Sequence, residues 1–177
     1  MKILVIGTSV VPIGHGRYGG IELLTNTFVD GLNELGHKVT VAAPYGSRVP
    51  DGVRLIETVK LPEEQDHDDY ALNRMIAIDG FWDFDVAHDF SHGHLLAKTY
   101  NNVNSVSMLW DNITHHYWKA PYNIVCLSDW QKDRFQRLYS QKALVMPMCV
   151  DTKKYKPSGH PRRERFLFLG KISPEKG

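Results

Sequence analysis

The chain has 177 residues, of which 42% are hydrophobic and 23% charged, and its formal net charge is +1. That length fits one ordinary domain with room for part of another, and the composition supports a sizeable core. A net charge so near zero excludes bulk attraction to a polyanion, so no nucleic-acid partner is expected.

Met1 is followed directly by KILVIG (2–7), an apolar run of strand length, too short for a signal-peptide core or a membrane span. The longer apolar stretches downstream are strand-sized too, and a soluble cytoplasmic protein is the expectation. From Ile21 to Leu35, apolar residues at Ile21, Leu24, Phe28, Leu32 and Leu35 keep helical spacing. Gly36 then stands where a helix cap favours positive φ. KVTVAAP (38–44) reads as a strand stopped by Pro44, and VRLIETVK (53–60) as another. A helix is expected over 69–81, a strand over 83–88, a short helix over 94–100 and a strand over 105–110. After a polar-aromatic loop come NIVCLS (123–128) as a strand, a helix from Asp129 to Tyr139, and a last strand at 143–147.

Continuously apolar strands alternating with helices predict a parallel sheet covered on both faces. The fold class is therefore α/β, a doubly wound, Rossmann-like domain over residues 1–148. Such sheets bind ligands beyond the carboxyl ends of their strands, which directs attention to the loops after residues 7, 44, 88, 110 and 128. Residues 149–165 read as a linker, with six basic residues, two prolines and a glycine between Lys153 and Arg165. A solvated connection is the simplest reading of that run, and a peripheral contact with anionic lipid or phosphate is the alternative. The acidic run at 63–69 offsets it and reads as a solvated loop. Cys126 and Cys149 are too few and too far apart for a disulfide framework or a zinc site. They read as reduced thiols in or near the core.

Gly14, Gly16 and Gly19 spell a G-x-G-x-x-G. A dinucleotide reading fails on context, because Gly14 comes seven positions after Gly7 and the second strand ends in Ala43-Pro44 rather than an acid. What remains is Gly19-Gly20 before a helix with Glu22 in its first turn. Residues without side chains let backbone N–H groups approach a phosphate where the helix end favours negative charge. A plain flexible turn is the competing reading. His92-Gly93-His94 resembles a metal pair, yet two residues at that spacing share a face only on a strand, and nothing supplies a third ligand. No metal is expected.

These residues carry a resemblance. The stretch from Val11 to Pro44 resembles the glycine-glycine-x-glutamate loop, first helix and second strand of the family-4 retaining glycosyltransferases of the GT-B architecture, in their amino-terminal half. FDVAHDFSH resembles the family's strand ending in a cleft histidine, and CLSDWQKDRF its strand-to-helix junction. VMPMCVDTKKYKP resembles the interdomain segment, with Met148 and Cys149 where asparagine and glycine usually stand, and FLFLGKISPEKG resembles the opening of the second domain. The resemblance runs the length of the chain, in order.

It implies transfer of a sugar from a nucleotide-sugar donor to an acceptor, with retention at the anomeric carbon. The acceptor could be a sugar, a lipid-linked molecule or another small molecule. Lys171 and Lys176 fall where the family grips the donor diphosphate, with Lys171 in place of arginine; Gly19 and Gly20 complete that group. Glu22, His92, Tyr117 and Trp118 are the implied acceptor contacts. Trp110 stands where a catalytic histidine is common, and Phe90 at another position that is often histidine. The catalytic role is left among His88, Asp89, Trp110 and Asp111, with His94, His115 and His116 nearby. No cofactor is expected, since charge on the leaving diphosphate would be met by cations and backbone donors. Residues 166–177 would be the first strand and phosphate loop of a donor-binding domain. The chain would then be an amino-terminal fragment, inactive alone, missing its carboxyl-terminal domain. The alternatives are a non-catalytic module that keeps the fold, favoured by Trp110, and, less well matched by the SPEKG ending, an epimerase of the same architecture.

Overall fold

The computed structural model describes residues 1–9, 11–14, 19–60, 83–94, 96, 104–110, 123–157, 159, 164, 166–168 and 172. Among them, β1 (Lys2–Ile6), β2 (Lys38–Ala43), β3 (Arg54–Glu57), β4 (Val86–Asp89), β5 (Ser105–Met108), β6 (Ile124–Cys126) and β7 (Leu144–Val145) form one sheet. Its order is β3-β2-β1-β4-β5-β6-β7, and every neighbouring pair is parallel. Two described helices, α1 (Gly20–Glu34) and α2 (Asp129–Tyr139), pack on it.

The alternation of a strand divides the core. Ile3 and Val5 of β1 pack with Val39 and Val41 of β2 against Val29, Phe28 and Ile21 of α1. Leu4 and Ile6 point the other way, into a cluster with Ala42, Ile56, Ala87 and Leu96. Both faces are apolar because both are covered, which is why β1 and β2 read as unbroken hydrophobic runs. Under α2, Phe135 is fully buried against Leu109, Ile124 and Cys126.

Helix ends follow local chemistry. After α1, Gly36 adopts φ 80°, its N–H donates to Asn33 O, and the His37 N–H donates to Leu32 O. This pair of reversed bonds ends the helix as the glycine predicts. Ser128 accepts from the Gln131 N–H at the start of α2, and Ser140 closes it in a left-handed conformation.

Strand β4 begins at Val86 rather than residue 83, because Asp83 and Asp85 are engaged at the start of β1. Lys2 Nζ pairs with Asp83 at 2.8 Å, and the Lys2 backbone N–H donates to Asp85 Oδ2 at 2.7 Å. The sequence placed its strand end at residue 88; the ladder continues to Asp89. The expected helix over 69–81 lies outside the described residues, as does that over 94–100 apart from His94 and Leu96. Phe166, Leu167, Phe168 and Ile172 stand exposed outside the sheet.

Candidate functional site

The order in which the chain adds strands reverses at the centre of the sheet. From β1 the chain proceeds through α1 to β2 on one side, whereas β4 leads to β5 on the other. Loops leaving β1 and β4 therefore diverge and open a crevice at the carboxyl edge. The Phe90 N–H donates to Ile6 O at 2.8 Å, so the two strand ends stay joined up to the point of divergence.

On the β1 side, Gly7 and Thr8 lead into a loop pinned to the turn after β2. The Ile13 N–H donates to Ser47 Oγ at 3.1 Å, and the Arg48 N–H donates to Ile13 O at 2.9 Å. Gly14 lies at φ 81°, and a Cβ there would collide with the Arg48 carbonyl. This glycine answers a close backbone approach, which accounts for one member of the G-x-G-x-x-G without a dinucleotide. The Thr8 hydroxyl donates to Glu22 Oε1 at 2.6 Å, tying the first turn of α1 to the end of β1.

The two glycines at the start of α1 differ. Gly19 caps the helix at φ 144°, and a Cβ on it would strike the Glu22 carboxylate. Gly20 is exposed, helical, and has no described atom within 4 Å of where a Cβ would stand. Nothing among the described residues demands glycine at position 20. The space beside it is open at the end of α1 where the helix dipole is positive and the backbone N–H groups lack partners within the helix.

On the β4 side, His88 and Asp89 are 8% and 1% exposed. His88 pairs with Val5 and Val106 in the ladders on either side. Its ring stacks on Phe90 at 4.5 Å between centroids and meets Phe28 edge-on at 4.6 Å. Burial among these rings lowers its pKa from 6.5 to about 4, so the imidazole is neutral at pH 7. Its Nε2 is buried and has no hydrogen-bond partner among the described residues. One oxygen of the Asp89 carboxylate accepts from the Ser91 N–H at 2.9 Å. Trp110 continues the aromatic row, 5.3 Å from Phe90 between centroids, with its Nε1–H donating to Phe90 O at 2.9 Å. The one N–H of the indole is thus engaged by a backbone carbonyl.

The structure thus brings Gly19, Gly20, Glu22, His88, Asp89 and Trp110 to the carboxyl edge around β1 and β4. His92 is exposed in the loop beyond, while His94 is buried at φ 48°, so the two rings part company rather than face one site. Asp111, His115, His116, Tyr117, Trp118, Lys171 and Lys176 lie outside the described residues. Cys126 is buried, and burial pushes its thiol up to about 11, whereas Cys149 is exposed. Behind Trp110 lies an apolar pocket of about 80 Å³, walled by Phe28, Phe90, Met108, Met146 and Cys149 among others.

Sequence reasoning did not single out Thr8, Ser91 or Gln131. The signal for Thr8 was a small hydroxyl directly after a strand-ending glycine. Gln131 has a local signal too, three residues after the N-cap serine. Its Oε1 accepts from the Leu127 N–H at 2.7 Å and its Nε2 donates to Leu109 O at 3.1 Å, joining the ends of β6 and β5.

Strand order and a central crevice define a doubly wound, Rossmann-like domain of the kind that GT-B glycosyltransferases carry. The chain is similar to AviGT4, a glycosyltransferase involved in avilamycin A biosynthesis, with a TM-score of 0.57 and 22% identity over 89% of this chain and 45% of that one. It is also similar to the sucrose-phosphate synthase of Thermosynechococcus elongatus, with a TM-score of 0.60 and 11% identity over 88% of this chain and 50% of that one. The chain therefore spans about half the length of these structures. No family model and no curated protein matches it.

Proposed function

We propose that this chain is the acceptor-side half of a retaining glycosyltransferase of family-4 type that uses a nucleotide-sugar donor. The observation that carries the reading is Gly20, an open position without a local structural need for glycine, at the amino end of α1 beside the crevice. A donor diphosphate there would meet the backbone N–H groups and the positive end of the helix dipole. Lys171 and Lys176 would add cationic charge to the same diphosphate, and no metal is needed in this scheme. Asp111 would be the carboxylate offered to the reacting sugars, while Asp89, 1% exposed, would hold the loop after β4 through the Ser91 N–H. His88 is neutral and walled in by Phe28 and Phe90, so it shapes the crevice floor and does not deliver a proton at neutral pH. Glu22, His92, Tyr117 and Trp118 would contact the acceptor.

Gly20→Val tests this in the full-length enzyme. A side chain at position 20 displaces the phosphate, and losing one charge-assisted backbone bond weakens nucleoside-diphosphate binding roughly tenfold or more. Titration of UDP, GDP and ADP reads the affinity, and unchanged affinity for all of them would remove the phosphate from this helix end. The 177-residue chain alone is expected to turn over no nucleotide-sugar.

The bond from Trp110 to Phe90 favours one further reading, a domain that retains the fold as a non-catalytic binding module. Tight nucleoside-diphosphate binding by the full-length protein without turnover of any donor would select it.

A further inference from the structure

We propose that the apolar pocket behind Trp110 takes an uncharged apolar substituent of the acceptor, a short alkyl group. The inference rests on reading this domain as the acceptor side. The pocket opens off the same carboxyl edge as the crevice, and it shares Phe28 and Phe90 with the enclosure of His88. None of its lining side chains carries a formal charge, and the one N–H among them, on Trp110, is already bonded to the Phe90 carbonyl. A sugar hydroxyl pushed into it would leave water and gain no side-chain partner. A diphosphate is excluded more strongly. Its volume of about 80 Å³ leaves room for roughly five heavy atoms, at about 15 Å³ for each water-sized occupant. Met108 and Met146 give it walls that adapt to shape. An acceptor whose polar ring lies in the crevice would thus place a small apolar group against Trp110.

The chain carries its own reporter. Cys149 lines this pocket and is exposed, while Cys126 is buried with its thiol raised to about 11, so alkylation reads Cys149. Rates with N-methyl- and N-butylmaleimide are measured on the 177-residue chain and divided by those of N-acetylcysteine. Each methylene withdrawn from water is worth about fourfold, so the normalised butyl-to-methyl ratio should exceed about tenfold. Leu24→Trp, which fills the pocket from α1, should return that ratio toward one. A normalised ratio near one in the unaltered chain overturns the pocket as an apolar site, whatever becomes of the variant.

Protection supplies the link to the acceptor. Butyl glucoside should slow Cys149 alkylation at least threefold at a concentration where methyl glucoside has no effect. Equal protection by the two glucosides, or none by either, overturns the acceptor assignment. The labelling needs no donor and no turnover. A pocket that selects apolar groups here, together with a protein carrying both halves that transfers no sugar, would therefore sink the glycosyltransferase reading alone.

Discussion

Burial between Phe28 and Phe90 holds the His88 imidazole neutral down to about pH 4, against 6.5 for the ring when unfolded. The unfolded chain therefore takes up a proton before the folded one does. Stability from this group is complete above pH 6.5 and is lost as the pH falls from there toward 4. Over the whole window the loss is on the order of 3 kcal/mol. Urea melts at several pH values should give His88→Gln a shallower decline between pH 6 and 4.5, by up to about 1.4 kcal/mol per unit. Identical slopes would mean that the ring titrates normally. The two glycines of α1 invite a second comparison. Gly19→Ala places a Cβ at φ 144° against Glu22 and should lower Tm by several degrees, whereas Gly20→Val should leave it nearly unchanged. The sequence shows Gly19-Gly20 as equivalent neighbours, because the difference lies in a backbone angle, φ 144° at Gly19 against a helical Gly20.

At the scale of the element, Gln131 matters more to α2 than its own hydrogen-bonded turn suggests. It joins the Leu127 N–H of one strand end to the Leu109 carbonyl of the next, and it is 7% exposed. Gln131→Leu keeps much of the volume but leaves the buried Leu109 carbonyl and the half-buried Leu127 N–H unpaired, a cost of about 2–3 kcal/mol. Ser128→Ala, which removes only the cap, should cost about 1 kcal/mol. Denaturant melts of the two variants should rank in that order. The helix itself was legible from its serine, its apolar spacing and its length, and it runs from Asp129 to Tyr139 as read. The start of β4 was not legible. Asp83 and Asp85 look like ordinary strand-flanking residues until the register places them beside Lys2, which no local pattern reveals. The contact from Thr8 to Glu22 is hidden for the same reason, since it depends on where a loop returns.

For the molecule as a whole, the segment after β7 connects the two ends of α1. Pro147, Met148 and Cys149 share a pocket with Leu24, near its beginning, and Lys153 reaches Glu34 at its last turn. Asp151, Lys153 and the later turns of α1 border an open groove of about 520 Å³. The ion pair of Lys153 and Glu34 is exposed on both sides, so solvent screens it and Lys153→Ala should leave the denaturant midpoint unmoved. If the proposed donor site is right, Lys176→Ala in a protein carrying both halves should lower kcat/KM far more than Lys153→Ala, because a diphosphate contact in a closed cleft would outweigh a screened surface charge. Equal losses would remove Lys176 from the donor site. The doubly wound class was legible because both faces of the sheet are covered, leaving its strands unbroken in hydrophobicity. The pocket behind Trp110 was not, because its walls come from α1, three strand ends and the segment after β7, and only the fold brings them together.

The order of the strands also grades the sheet by how easily its parts come loose. β7, at one edge, is two residues long and β3, at the other, is four, whereas β4 stands at the centre with β1 beside it. A peripheral strand can detach by breaking one ladder; β1 and β4 can detach only if both neighbours give way. In deuterated buffer the Met146 amide, bonded to Cys126 O beside the edge, should exchange early, and those of Val5 and Ala87 late. The crevice between the loops of β1 and β4 is therefore built on the amides that exchange last. Its floor should keep its protons until the sheet itself gives way.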